Sequence, residues 1–96
     1  MTKEQMYKNR VKKGIAWLNR KKPGWYKKIK ITELQMYDTK TCICGQLFGS
    51  YSFVYAQGLA PGQTIDFGFN LAGTARNFDL LEKIWIQEIR KLRKKK

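Results

Sequence analysis

Aromatic side chains stand among cations near the start of the chain, a pairing suited to a ligand that carries phosphate. The rings and cations of this pattern are Arg10, Lys13, Trp17, Arg20, Lys21, Lys22 and Tyr26. A flat ring can stack on a nucleobase while neighbouring cations neutralise its phosphate. Trp17 also lies at the edge of an apolar helical stripe. It could equally be a core residue beside a solvated lysine face, and both interpretations stay open.

A second set of residues lies in the segment 42–51. Gly45 and Gly49 fall on one side of a helical wheel, where small residues allow a helix or a ligand to approach the backbone. Gln46 beside them could hydrogen-bond the edge of a base. Tyr51 completes the predicted ligand-binding set. Packing against another helix is the alternative interpretation of the small-residue stripe.

Catalytic and metal-binding chemistry is not expected. The chain has no histidine, which removes the commonest general base and metal ligand. Cys42 and Cys44 alone cannot complete a four-ligand zinc site, and two positions apart they suit a disulfide poorly. We interpret them as reduced, small core residues. No standard phosphate-binding loop occurs. The sequence therefore predicts a binding protein that is not an enzyme and that uses no cofactor.

The charge is extreme for 96 residues, with a formal net value of +13. Residues 1–30 carry eleven cations and one acid, and residues 81–96 carry seven cations and two acids. Residues 31–80 are slightly acidic. If the terminal helices pack side by side, their cations form one surface that attracts polyanions. There is no membrane-spanning stretch and no signal peptide, which indicates the cytoplasm.

The spacing of apolar residues predicts a mainly all-α fold in a single domain, residues 1–96. Three long helices are expected, over 3–20, over 41–57 and from about Asn77 onward, where Asn77 would be the N-cap. Short helical turns are expected at 25–29 and 61–67, and an extended segment is allowed near 29–36. The basic tail 93–96 is interpreted as a generic, flexible electrostatic segment.

The motif at 42–51 resembles a pattern found in a family of small, largely uncharacterised proteins of bacteriophages and of bacteria such as actinobacteria. The matching residues are Gly14 and Leu18, Pro23-Gly24-Trp25, the segment 42–51, Gly58-Leu59, Gly68-Phe69 and Trp85. The match covers roughly residues 14–89. This resemblance implies a phage origin and an accessory role, such as inhibition of a bacterial defence.

Three functions follow as hypotheses. The first is a stoichiometric sponge for a phosphate-rich nucleotide signal of host defence, acting in the host cytoplasm. The second is a DNA- or RNA-binding protein without sequence specificity, which needs only a continuous basic face. The third is an inhibitor that docks on an acidic host protein. Wide apolar faces in so small a chain also make a homodimer credible.

Overall fold

Helices make up the regular secondary structure of residues 2–71 and 75–95, the part of the chain that the computed structural model describes. In chain order they are α1 (Lys3–Lys21), α2 (Trp25–Lys28), a first 3-10 helix (Ile31–Glu33), α3 (Ile43–Phe48), a second 3-10 helix (Tyr51–Gln57), α4 (Pro61–Asp66) and α5 (Ala75–Lys94). The predicted mainly all-α fold class is confirmed. None of the described helices is long and apolar enough to cross a membrane.

Helix α1 follows its sequence signals closely. The Thr2 hydroxyl caps the helix by accepting the backbone N–H of Gln5 at 3.1 Å. Tyr7, Val11 and Leu18 are buried along one face at the predicted spacing. The chain leaves the helix at Lys22 and turns through Pro23 and Gly24 into α2. The first predicted helix and the short turn after it are therefore confirmed.

Helix α5 buries a broad apolar face in the core. The buried residues are Phe78, Leu81, Ile84, Trp85 and Ile89. The predicted N-cap at Asn77 is wrong, because the helix already begins at Ala75. The Asn77 side chain instead accepts a hydrogen bond from Lys3 Nζ at 3.3 Å. This bond ties the first turns of α1 and α5 together.

The predicted middle helix over 41–57 is wrong as one continuous helix. Gly49 has φ of +96° and donates its N–H to the Gly45 carbonyl at 2.9 Å, which closes α3 after six residues. Glycine adopts this conformation readily and commonly ends helices in this way. The chain restarts as the second 3-10 helix, whose first N–H, from Tyr51, bonds to the Thr39 carbonyl. The described part of the chain therefore has two long helices where the sequence predicts three.

Aromatic rings fill the centre of the molecule between α1 and α5. Trp85 is fully buried, stacks on Phe69 at 5.6 Å and meets Trp25 edge to face at 5.8 Å. Its indole N–H donates to the Gly68 carbonyl at 2.7 Å. Gly14 of α1 lies directly against this cluster, since a Cβ there would be 3.1 Å from the Trp85 ring. A residue without a side chain is thus required where the two long helices meet.

The connection over 29–42 is mixed, as the sequence allows. Ile29 and Leu34 have extended backbone, and the first 3-10 helix lies between them. Leu34 and Met36 are buried. The N–H of Met36 donates to the carboxylate of Glu82 in α5 at 3.0 Å, which fastens the connection to the last helix. Later in the chain, α4 supplies the predicted turn at 61–67, and Phe69 is buried in the core.

Candidate functional site

The two long helices run side by side in the same direction. Lys3 reaches Asn77 where both helices begin, and Gly14 meets Trp85 halfway along. At the far end, Arg93 of α5 contacts α2, which follows directly after α1. The C-terminal ends of α1, α2 and α5 therefore lie together at one end of the molecule. The condition under which the terminal cations form one surface, side-by-side packing of the terminal helices, is therefore met.

This end of the molecule gathers the cations from three chain segments, and we call it the basic pole. Its residues are Arg20, Lys21, Lys22, Lys27, Lys28, Lys30, Arg93, Lys94 and Lys95. The segments 20–30 and 90–95 contain no acidic residue. Each long helix directs a negative dipole end here, worth roughly half a charge. The cations exceed this by a wide margin, so the basic pole stays strongly positive.

Arg93 joins the end of α5 to the end of α2, although its side chain is exposed. Its Nε and Nη2 donate to the Tyr26 carbonyl at 3.1 and 2.8 Å, and Nη2 also donates to the Ile29 carbonyl at 2.5 Å. These carbonyls lie at the end of α2, where helical partners run out. Arg93 and Lys94 also belong to α5. Arg93 thus makes specific contacts that a generic tail would not, while the flexible tail predicted for the remaining residues stays a prediction, and Lys96 lies outside the described residues.

Trp17 lies in the core and offers no ring face to a ligand. It is 6% exposed and meets Phe48 and Phe69 edge to face at 6.2 and 5.7 Å. Of the two interpretations left open by the sequence, the core interpretation is correct. The nearby Tyr26 is half-buried against Trp25 at 5.9 Å. Its backbone carbonyl, as described above, holds Arg93.

The cations predicted around Trp17 separate into two groups along α1. Arg20, Lys21 and Lys22 reach the basic pole, where Lys22 Nζ lies 5.9 Å from the centre of the Phe48 ring. Arg10 and Lys13 lie earlier on the helix, and Arg10 packs over the Tyr7 ring at 5.9 Å. Lys13 precedes Lys21 by eight residues, or about 12 Å of helix. The predicted site residues therefore do not surround one centre.

Gln46 acts as a clamp between chain segments. Its side-chain oxygen accepts the Lys30 N–H at 2.7 Å, and its nitrogen donates to the Lys30 and Thr41 carbonyls at 3.2 and 2.9 Å. The amide therefore already binds backbone and is not offered to a base. Sequence reasoning missed this role and that of Arg93, because both side chains bind backbone far away in the sequence.

The stripe of small residues packs against the chain itself. A Cβ on Gly45 would collide with the Lys40 carbonyl group, so a loop covers this glycine. Gly49 is required for the turn described above. Neither prediction, a partner helix or a bound ligand, describes this stripe, because the segment that approaches the backbone is the loop at residues 39–40.

Both cysteines are buried core residues, as predicted. Cys42 caps α3, its sulfur accepting the Gly45 N–H at 3.3 Å. Burial raises the pKa of both thiols, which keeps them protonated and poorly nucleophilic. Within the described residues, no three histidine, cysteine, aspartate or glutamate side chains lie together to bind a metal. The described part of the chain thus offers no activated thiol and no metal centre.

A small cavity lies at the opposite end of α5 from the basic pole. It has a volume of about 150 Å³, and its lining includes Tyr37, Asp38, Tyr51 and Phe78. Typical sites for drug-sized ligands occupy about 300–1,000 Å³. Burial raises the pKa of the Tyr51 phenol to about 12, and the Tyr51 and Tyr55 hydroxyls lie 3.4 Å apart. Tyr51 is therefore separated from the predicted phosphate-binding cations and lines a different feature.

No protein-family model matches the chain, and comparisons with curated proteins and with solved structures found no match. The geometry of the basic pole and of the cavity is therefore the basis for proposing a function.

Proposed function

We propose that this protein binds nucleic acid through the basic pole, by neutralising backbone phosphates without reading base sequence. The observation behind this proposal is the convergence of three cationic segments, 20–22, 27–30 and 93–95, at one end of the fold. Phosphate neutralisation supplies essentially all of non-specific nucleic-acid affinity. A fixed cluster of lysines on helix ends is well suited to that interaction.

A continuous polyanion fits the structure better than a single nucleotide does. Trp17, Gln46 and Gly45, which a nucleotide pocket was predicted to use, are all occupied by contacts within the chain. The lining of the described cavity contains no lysine or arginine. The pole cations are instead largely exposed and spread over several helix ends. Such an arrangement can contact several phosphates of a strand at once.

The size of the molecule sets the length of the probe. Its principal dimensions are 31 × 30 × 22 Å. At 3.4 Å per base pair, one face extends along about six to nine base pairs of duplex. A fluorescent duplex of about twenty base pairs therefore exceeds one footprint. A single-stranded probe of the same sequence tests whether strandedness matters.

Two variants with equal charge and different geometry test the proposal. The pole variant changes Lys21, Lys28, Lys30 and Lys94 to Gln. The control variant changes Lys12, Lys40, Arg76 and Lys83 to Gln, all of them outside the basic pole. Each variant lowers the net charge by four. Lys22 and Arg93 stay unchanged because they make packing and carbonyl contacts.

Affinity is measured by fluorescence anisotropy over a series of salt concentrations. Each lost phosphate contact should reduce the slope of log K against log salt by about 0.9 for duplex. The pole variant should therefore lose about 3–4 from the slope, and the control less than about 1. Equal losses in both variants would contradict a localised site. Absence of binding to both probes at moderate salt would refute the proposal and favour docking on an acidic protein.

Native mass spectrometry of the protein purified from cells separates the nucleotide hypothesis from this proposal. A stoichiometric nucleotide adduct that survives in the pole variant would contradict the proposed function and support a nucleotide sponge. An apo mass together with salt-dependent binding to duplex supports the basic pole as the functional surface.

A further inference from the structure

We propose that the cavity at the N-terminal end of α5 binds a small organic cation of the alkylammonium class, with Asp38 as its counter-ion and aromatic rings as its walls. The cavity is independent of the basic pole and of nucleic-acid binding. Its aromatic lining consists of Tyr37, Tyr51, Phe69 and Phe78. Ring faces attract ammonium groups, and attraction is strongest where water is excluded.

The shape of the cavity limits the size of its ligand. Its volume of about 150 Å³ equals that of a cavity known to accept benzene, so a group of about six heavy atoms fits. Tyr37 and Phe78 meet at 5.0 Å with their planes 66° apart, so they form two walls that are not parallel. Tyr37 is 66% exposed, so a ligand can reach the cavity from solvent.

Asp38 supplies a fixed negative charge at the cavity. Its Oδ1 accepts the N–H groups of Lys40 at 2.7 Å and Thr41 at 3.0 Å, which fixes the side chain. These backbone bonds hold the pKa of the carboxyl below its usual value, so it is ionised at neutral pH. Both bonds end on the same oxygen. Oδ2 accepts neither of these two backbone bonds, and a bound cation would compete there with the Lys40 and Thr41 side chains, which also lower the pKa of this carboxyl.

The strong positive charge of the protein is concentrated far from this cavity. Phe78 and Arg93 are fifteen residues apart on α5, which is about 22 Å of helix. This exceeds two Debye lengths at physiological salt, so the field of the basic pole is largely screened there. The charged residues near the cavity are mixed in sign, with Asp38, Asp79 and Glu82 beside Lys40, Arg76 and Lys83, and Lys3 lies against Asn77.

Nuclear magnetic resonance titration tests the proposal with choline, whose trimethylammonium head fits the size argument. The matched probe is 3,3-dimethyl-1-butanol, in which carbon replaces the charged nitrogen. We expect saturable shifts of cavity amides with choline at millimolar concentration. The neutral probe should bind about fivefold more weakly, since one charge pair near the surface contributes up to about that factor.

Asp38→Asn is the matched variant, because asparagine keeps the Oδ1 acceptor for both backbone bonds and removes only the charge. It should lower choline affinity about fivefold and leave the affinity for the neutral probe unchanged. Tyr37→Leu removes an exposed ring without opening the core and should weaken choline binding severalfold. An unchanged amide spectrum away from the cavity shows that each variant is folded.

Three results would overturn the proposal: no saturable shift with choline, equal affinity for the neutral probe, or undiminished choline affinity in Asp38→Asn. The pole variant described above should bind choline as the native protein does. Asp38→Asn should likewise retain nucleic-acid binding. These measurements therefore test the two proposed sites independently, and a negative result at one site does not affect the result at the other.

Discussion

Replacing Gly14 with alanine is expected to destabilise the protein, although alanine is the better helix former. A Cβ at this position would overlap the carbonyl oxygen of Phe67 and lie 3.1 Å from the Trp85 ring. The first obstacle is backbone, which cannot rotate away. Helix α1 must therefore move away from the aromatic centre of the fold.

The expected magnitude is the balance of two opposing terms. Alanine gains about 1 kcal/mol over glycine in helix propensity. Overpacking a rigid site costs about 3 kcal/mol at the upper end of the usual range. The net loss is then about 2 kcal/mol. For a domain of this size, that loss lowers the melting temperature by about 8–16 °C.

Urea unfolding followed by circular dichroism measures this difference, and Gly62→Ala is the control. Gly62 lies in α4 and has no positive φ, and a Cβ added there would have no neighbouring atom within 4 Å. Its replacement should raise stability by up to about 1 kcal/mol. A Gly14→Ala protein as stable as the native one would refute the close contact between α1 and the Phe67 carbonyl.

Two further predictions concern the polar contacts of the fold. Arg93→Gln should lower the free energy of unfolding by about 1–2 kcal/mol, because charge-assisted bonds to two carbonyls are lost at a partly exposed site. The control is Lys94→Gln, the neighbouring residue on the same helix, which should change the free energy of unfolding by less than about 0.5 kcal/mol. Equal effects of the two variants would refute the role of Arg93 in joining α5 to α2. Burial raises the pKa of the Tyr51 phenol to about 12, so this group favours the folded state only while it is neutral. Stability from this group is present below pH 10 and is lost as the pH rises towards 12, so the urea midpoint should fall over that range. Tyr51→Phe should make the fall shallower, and an identical pH profile would contradict the prediction.

The sequence predicts the two long helices well because their signals are local. Apolar residues recur at helical spacing in α1 and α5, and the Thr2 cap and the turn at Pro23 and Gly24 are short-range features. The middle segment is predicted poorly from such local signals. Its apolar residues keep a helical period across Gly49, although that glycine turns the chain and ends α3.

The candidate site is predictable in charge and much less in geometry. Clustering of cations at both ends of the chain gives the basic pole once the terminal helices are paired. The burial of Trp17 depends on contacts with Phe48 and Phe69, which are distant in sequence. The same holds for Gln46, whose partners are backbone groups of Lys30 and Thr41. Phage kinship, the cytoplasmic location and a homodimer stay predictions.

The parallel arrangement of α1 and α5 has a consequence for how the molecule folds. Contacts of α5 with the first third of the chain span most of its length: Lys3 of α1 and Asn77 are 74 positions apart, and Ile29 at the end of α2 and Arg93 are 64 apart. Helical bundles built from adjacent antiparallel helices fold fast because their contacts are local. Here the central segment must loop back before either long helix gains its partner, and that loop closure costs entropy early. We therefore expect slower folding than is usual for helical proteins, with the basic pole assembled only in the final, cooperative step.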